Sequence, residues 1–237
     1  MTIDVFVATV RAFGARLAGP GLPLSAAERE RAERFHHLSD RWEFILGRVM
    51  ARHLLSERCG TAPADFEFAE NAHGRPEIAQ PCLPAPLRFN LSHSGGIVAC
   101  VIGEAGQIGV DVERLDRPPV DPRVIQRYCS ATEQAALAAM PDALRHERFL
   151  ELWTLKEAYV KARGTGLTLP LSKVSFDIGA DGPGDVTFNG VDEEARWMFA
   201  HTRLEPNHLL AVAAEREPND EIGLRLRPFG PEDARLA

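Results

Sequence analysis

Asp111 and Glu113 stand two residues apart in the apolar run Ile108-Gly-Val-Asp-Val-Glu113. Successive side chains of a strand alternate faces, so both carboxylates point one way while Val110 and Val112 take the opposite, core-facing side. Two acids side by side repel unless a cation or a basic group stands between them. Hard oxygen ligands with water completing the shell suit Mg²⁺. Taken alone, a D-x-E pair is more commonly the solvent face of a half-exposed strand.

A second cluster is Trp153-Thr-Leu-Lys156-Glu157-Ala-Tyr-Val-Lys161. Trp153, Glu157 and Lys161 are spaced by four and share one helical stripe. A Glu four residues before a Lys is also an ordinary surface pair worth a few tenths of a kcal/mol. Its company here is a large aromatic and an abrupt stop at Gly164-Thr-Gly166. A third cluster, Phe89-Asn-Leu-Ser-His93-Ser-Gly-Gly96, puts His93 at a strand end beside a glycine turn, where backbone can approach a ligand closely. His73-Gly-Arg-Pro76 adds a guanidinium in a rigid turn, suited to forked phosphate contacts.

The elements that must position these residues follow from pattern. Thr2 to Val10 alternates and reads as a strand. Ser25-Ala-Ala-Glu28 has capping-box spacing and opens a helix to about Leu38. Asp40 caps a second helix through about Glu57, with Trp42, Ile45, Leu46, Val49 and Leu54 at helical spacing. Asn71 to Pro76 is turn material. Leu87 to His93 and Ile97 to Gly103 pair across Gly95-Gly96, and Gln107 to Glu113 is a third strand. Pro118, Pro119 and Pro122 mark a connection, and Ser130-x-x-Glu133 is another capping-box spacing. A long helix from about Ala143 to Arg163 ends at Gly164. Strands then follow at Val174 to Ile178, Asp185 to Phe188, Trp197 to Leu204, His208 to Glu215 and Glu221 to Phe229.

The order Asn90-Leu-Ser-His93, Ile97-Val-Ala-Cys-Val, Ile108-Gly-Val-Asp-Val-Glu113 is echoed by Asn207-His208, Leu209-Leu-Ala-Val-Ala, Ile222-Gly-Leu-Arg-Leu-Arg227. Chance similarity of short apolar strands is the competing explanation. The echo predicts a duplicated α+β unit packed as a pseudo-dimer, with halves 1–116 and 117–237 and the site at their junction.

The chain has 237 residues and a net charge of -7, against the basic footprint of a general nucleic-acid binder. Cys59, Cys82, Cys100 and Cys129 lack zinc spacing and read as free, mostly buried thiols. No apolar stretch approaches the roughly 20 residues of a membrane span. The N-terminus reads as a strand and not a signal peptide. A cytoplasmic protein with no membrane or nucleic-acid partner is expected.

In order, H-G-R-P, F-N-L-S-H-S-G, G-V-D-V-E and W-T-L-K-E-A-Y-V-K-A-R-G-T-G-L resemble the motif series of the surfactin-type phosphopantetheinyl transferases. The resemblance implies a monomer of pseudo-dimeric α+β fold. It implies transfer of 4'-phosphopantetheine from coenzyme A, the co-substrate, to a serine of an apo acyl or peptidyl carrier protein, with release of adenosine 3',5'-bisphosphate. By it, Asp111, Glu113 and Glu157 hold Mg²⁺, with Glu157 reaching across from the second half. Glu157 is the general base, Asp111 and Lys161 belong to the catalytic set, and Lys161 pairs with the phosphates. Arg75 and His93 contact coenzyme A phosphates, Asn90, Leu91 and Ser92 line the nucleotide pocket, Gly74 permits close approach at the adenine side, and Pro76 belongs to the same binding set. Related enzymes carry basic residues for the 3'-phosphate where this chain has Glu28 and Glu43. Arg31 is retained, and Arg41 or Arg48 stand as substitutes. The alternatives are a metal-dependent phosphohydrolase or nuclease, and a non-catalytic coenzyme A binding protein.

Overall fold

The computed structural model describes residues 2–83, 87–104, 106–179, 186–190, 196–215 and 223–235. In chain order the first elements are β1 (Thr2–Thr9), α1 (Val10–Phe13), α2 (Ala26–Glu33), α3 (Leu38–Cys59), β2 (Glu67–Glu70), β3 (Pro76–Gln80), β4 (Arg88–Ser94) and β5 (Ile97–Gly103). Then come β6 (Ile108–Arg114), α4 (Pro122–Tyr128), α5 (Ala131–Ala139), α6 (Asp142–Arg163), β7 (Ser175–Ile178) and β8 (Val186–Asn189). β9 (Trp197–Leu204), β10 (His208–Glu215) and β11 (Gly223–Pro228) complete an α+β fold.

The chain divides into two compact units, Met1–Ala105 with Gly223–Ala237, and Gly106–Ile222. This corrects the expected halves 1–116 and 117–237: β6 belongs with the second unit and β11 with the first. Hydrogen bonding is the reason. β6 pairs antiparallel with β10, whereas β11 runs parallel beside β1. The two Ile-Gly strands of the sequence echo are thus each built into the other half's sheet. The opening residues of the strand expected at Glu221 to Phe229, and Asp185 of the strand expected to Phe188, lie outside the described residues.

In the first unit the sheet order is β11-β1-β5-β4, with β2 and β3 as a separate hairpin. The 22-residue α3 lies over β4 and β5, burying Leu46, Val49 and Met50 completely. α2 has the full capping box: the Ser25 hydroxyl accepts from the Glu28 N–H and the Glu28 carboxylate accepts from the Ser25 N–H. α2 stops at Glu33, short of the expected Leu38. α3 begins at Leu38 with His37 at the cap position, so Asp40 lies in its first turn and is not the cap.

The second unit also sets one long helix on a sheet, here antiparallel throughout. Its order is β6-β10-β9, and the 22-residue α6 packs on all three strands. Tyr159, Phe176, Phe188, Trp197 and Phe199 form its aromatic centre. α5 carries the second capping box, Ser130 with Glu133. Glu133, 3% exposed, also accepts from the Phe176 N–H at 2.9 Å and from Lys156 Nζ at 2.9 Å. Lys156, 1% exposed, donates further to the carbonyls of Leu171 (2.9 Å) and Val174. Lys156 is therefore a core tie between α5, α6 and the approach to β7.

Breaking one side of such a pair strands the other charge away from water, at a cost of about 3–5 kcal/mol. Lys156→Met should lose stability on that scale in urea titration, and adding Glu133→Gln should recover part of the loss. Equal stability of Lys156→Met and the native chain would contradict this account.

Candidate active site

The second unit brings four of the expected residues together. On β6, Gly109, Asp111 and Glu113 share the face turned to α6. A side chain at Gly109 would put its Cβ 2.2 Å from the Ala158 carbonyl oxygen and 2.4 Å from the Ala162 nitrogen. Only a residue without Cβ allows strand and helix to approach this closely. Val110 and Val112 are buried on the other face, outside the apolar cluster of α6. The acids therefore look toward the helix, and the valines keep the opposite, buried side as alternation requires.

The stripe on α6 meets the acids in register. Trp153 Nε1 donates to Glu113 Oε1 at 3.1 Å, and Lys161 Nζ donates to Asp111 Oδ1 at 2.7 Å. Glu157 stands between them on the helix. Trp153 is held by Tyr128 edge-on at 5.4 Å and by Phe149 at 6.1 Å, which fixes the indole. Arg117 also donates to Glu113 Oε1, at 2.6 Å. Its spacing of four from Glu113 is the sole trace of this contact in the sequence. Lys161 and Asp111 thus form an ion pair between helix and strand, beyond the ordinary surface pair that the Glu157–Lys161 spacing also allows. Glu157 does not reach across from another half, since Asp111, Glu113, Glu157 and Lys161 all lie in Gly106–Ile222.

The electrostatics are those of crowded acids. Burial and then Asp111 raise the Glu157 carboxyl, with Lys161 opposing and Glu113 adding, to about 7. Burial and Asp111 likewise raise Glu113, against the pull of Arg117 and Trp153. Three oxygen donors with too little positive charge among them are the chemistry a hard divalent cation fits. Among the described residues, no three His, Cys, Asp or Glu side chains are already closed into a metal cage.

The first unit holds the remaining expected residues. The β2–β3 connection is a tight turn in which Asn71 Oδ1 accepts from the N–H groups of His73 (2.9 Å) and Arg75 (3.1 Å). Gly74 sits at φ 79 in this turn and Pro76 opens β3. Arg75 Nη2 reaches the Phe89 carbonyl at 3.4 Å, and burial lowers its pKa, with Glu77 opposing and Arg88 adding. β4 splits the N-L-S-H run between two faces. Asn90 and Ser92 are buried on one. Leu91 packs against Gly47 of α3 on the other, where His93 meets Glu43. The Leu91 side chain is thus core, leaving its backbone for any ligand. Arg41 is half-buried with its guanidinium 5.5 Å from the Trp42 ring.

The acids that stand where basic residues were expected have structural partners. Glu28 receives Nε and Nη2 of Arg52 at 3.2 and 2.7 Å, and Arg48 approaches at 3.6 Å. Arg52 also binds the carbonyls of Pro63 and Phe66. Arg48 is spent largely inside, with its guanidinium over Phe44 and Phe68.

Two family models match the chain: the 4'-phosphopantetheinyl transferase superfamily over residues 107–213, and the N-terminal region of 4'-phosphopantetheinyl transferase over residues 21–105. Among curated relatives, the 4'-phosphopantetheinyl transferase Sfp of Bacillus subtilis (strain 168) is 31% identical over 81% of this chain and 82% of its own. The transferase ffp of Bacillus subtilis is 33% identical over 81% and 83%, and psf-1 of Bacillus pumilus 31% over 81% and 79%. An α+β enzyme with an acid-lined strand facing a Trp-Glu-Lys helix is the class that these features define. The chain belongs to the 4'-phosphopantetheinyl transferase family, in its Sfp-type branch.

The crowding of acids predicts a pH-dependent stability. Glu157 has an ordinary value of 4.5 and is raised to about 7 in the fold. The folded state therefore holds a proton that the unfolded chain has given up, and stability falls as pH rises between these values. In metal-free protein, Glu157→Gln should melt above the native chain at pH 8, with the difference fading toward pH 4.5. A difference independent of pH would show that Glu157 is not raised by its neighbours.

Proposed function

We propose that this enzyme moves the 4'-phosphopantetheine arm of coenzyme A onto a serine of an apo acyl or peptidyl carrier protein. Adenosine 3',5'-bisphosphate is the leaving product, and Mg²⁺ is the metal. The observation that carries this reading is the facing of Asp111 and Glu113 on β6 by Glu157 and Lys161 on α6. Family membership and the names of the relatives support the transfer itself.

On this reading Asp111, Glu113 and Glu157 hold the Mg²⁺, which supplies charge neutralisation at the diphosphate of coenzyme A. Glu157 takes the proton of the carrier serine hydroxyl, directly or through one water. The serine oxygen forms its bond to the phosphorus bearing the pantetheine arm as the bond to the departing adenosine 3',5'-bisphosphate oxygen breaks. Phosphoryl transfer of this kind depends on positioning and charge stabilisation rather than on covalent participation of the protein. Lys161, one turn beyond Glu157, supplies positive charge for the phosphates. Trp153 and Arg117 keep Glu113 in place. Arg75 and His93 of the first unit serve the phosphates of the nucleotide, with Asn90, Ser92 and the backbone of Leu91 beside them, and Arg41 as a further cation. Duplication within one chain supports a monomer.

The test is to mix the enzyme with apo carrier protein, coenzyme A and Mg²⁺ and to follow carrier mass and nucleotide release. One phosphopantetheine should be gained per carrier, with bisphosphate released only when carrier is present. Release without carrier would instead mark a phosphohydrolase. Asp111→Ala should abolish transfer and its Mg²⁺ response, and Lys161→Ala should lower kcat on the order of 10²-fold. Native turnover in Asp111→Ala would remove the carboxylate site from the mechanism.

A further inference from the structure

Glu43 has no part in the proposed reaction, yet its side chain is 6% exposed and both of its oxygens are engaged. Oε1 accepts from the Gly96 N–H at 2.5 Å, and Oε2 meets His93 Nδ1 at 2.8 Å. The carboxylate therefore bridges the end of β4 and the turn into β5 from a fixed point on α3. That turn is also held from a second side. Gly95 and Gly96 take φ 57 and 85, which side-chain-bearing residues rarely adopt, and the Gly96 carbonyl accepts from the Val10 N–H at 2.8 Å. His93 itself is 44% exposed, so the ring is anchored at one nitrogen and open at the other.

We propose that Glu43 is the positioning residue for His93: it holds the Nδ1 edge of the ring inward, so that Nε2 is presented outward to an anionic phosphate of coenzyme A. This rests on the reading of His93 as a phosphate contact. A ring bonded to a carboxylate at Nδ1 has a defined tautomer and orientation, so Nε2 is fixed in direction before any ligand arrives. With Nδ1 turned to Glu43, Nε2 is the ring nitrogen left to face a phosphate oxygen, to which it donates when it carries a hydrogen. Holding a donor in place beforehand avoids the entropy of ordering it on binding.

Glu43 has two separable jobs, and Glu43→Gln separates them. Its amide oxygen still accepts from Gly96 N–H and keeps the turn, while its NH₂ cannot accept from Nδ1–H. Coenzyme A dissociation constants, measured by calorimetry with Mg²⁺ and without carrier protein, should rise about tenfold in Glu43→Gln, the scale of one charge-assisted hydrogen bond. His93→Ala should weaken binding similarly, and the double variant should bind no worse than His93→Ala alone, because Glu43 acts through the ring. In the native protein, ¹⁵N shifts of the His93 imidazole should show Nδ1 protonated, with Nε2 the nitrogen that moves on adding coenzyme A. The inference is overturned by native affinity in Glu43→Gln or in His93→Ala, by additive losses in the double variant, or by a native ring with bare Nδ1. Should Glu43→Gln not fold, the native imidazole shifts decide alone. A native enzyme that shows the coupling but modifies no carrier would sink the transferase reading and leave the positioning role upheld. Transfer without the coupling would sink only the latter.

Discussion

The structure turns on the close contact of β6 with α6, which presses carboxylates together in a half-buried setting. Crowding of this kind is unfavourable in the resting protein, and it persists because other interactions over-determine it. Gly109 lets the helix backbone lie against the strand. Trp153, braced by Tyr128 and Phe149, and Arg117 restrain Glu113, while Lys161 restrains Asp111. Glu157 is left with the poorest compensation, and its carboxyl rises to about 7. A side chain with that value is near the balance between holding and releasing a proton at physiological pH.

Buried acids have a second use in this molecule. Glu28 and Glu133 each close a capping box and then, with the same carboxylate, tie down a cation from another helix, Arg52 and Lys156 respectively. A capping-box glutamate points back along its helix, so its far oxygens are free to meet a neighbouring element. Both long helices are locked this way, and α3 and α6 are the helices that carry Glu43 and the Trp153–Lys161 stripe. The placement of those residues therefore depends on ion pairs made elsewhere in the fold.

Much of this was legible in the residues. The capping boxes, the Gly95-Gly96 hairpin and the helix ending at Gly164 follow from local chemistry, and local hydrogen bonds decide them. The shared face of Asp111 and Glu113 follows from strand alternation. Which face it is does not, because Ile108, Val110 and Val112 are as buried as a core face would be; the close helix contact at Gly109 is a tertiary fact. The short strands β2 and β3 escaped because four- and five-residue strands carry too little pattern to separate from the Asn71–Pro76 turn. Glu28 and Glu43 read as lost positive contacts because sequence shows a charge without its partner. Their partners, Arg52, His93 and Gly96, lie 24 to 53 positions away along the chain.

The placement of β6 and β11 bears on how the duplicated plan works. An unmodified repeat would keep each Ile-Gly strand with its own hairpin. Here β6 is hydrogen-bonded along β10, with Ala211 opposite Asp111 and Leu209 opposite Glu113, while β11 carries Arg225 and Arg227 to the edge beside β1. The exchange places the acidic copy of the strand under α6, the helix with the Trp-Glu-Lys stripe, and gives the basic copy to the unit that lacks that stripe. Asp4 on β1 then finds Arg58 and Arg227 as partners, so the basic copy has a structural role where it lies. A carboxylate set assembled within one folded unit needs no induced closure to bring its acids together. Changes confined to the first unit should therefore leave the arrangement of the carboxylates unaltered.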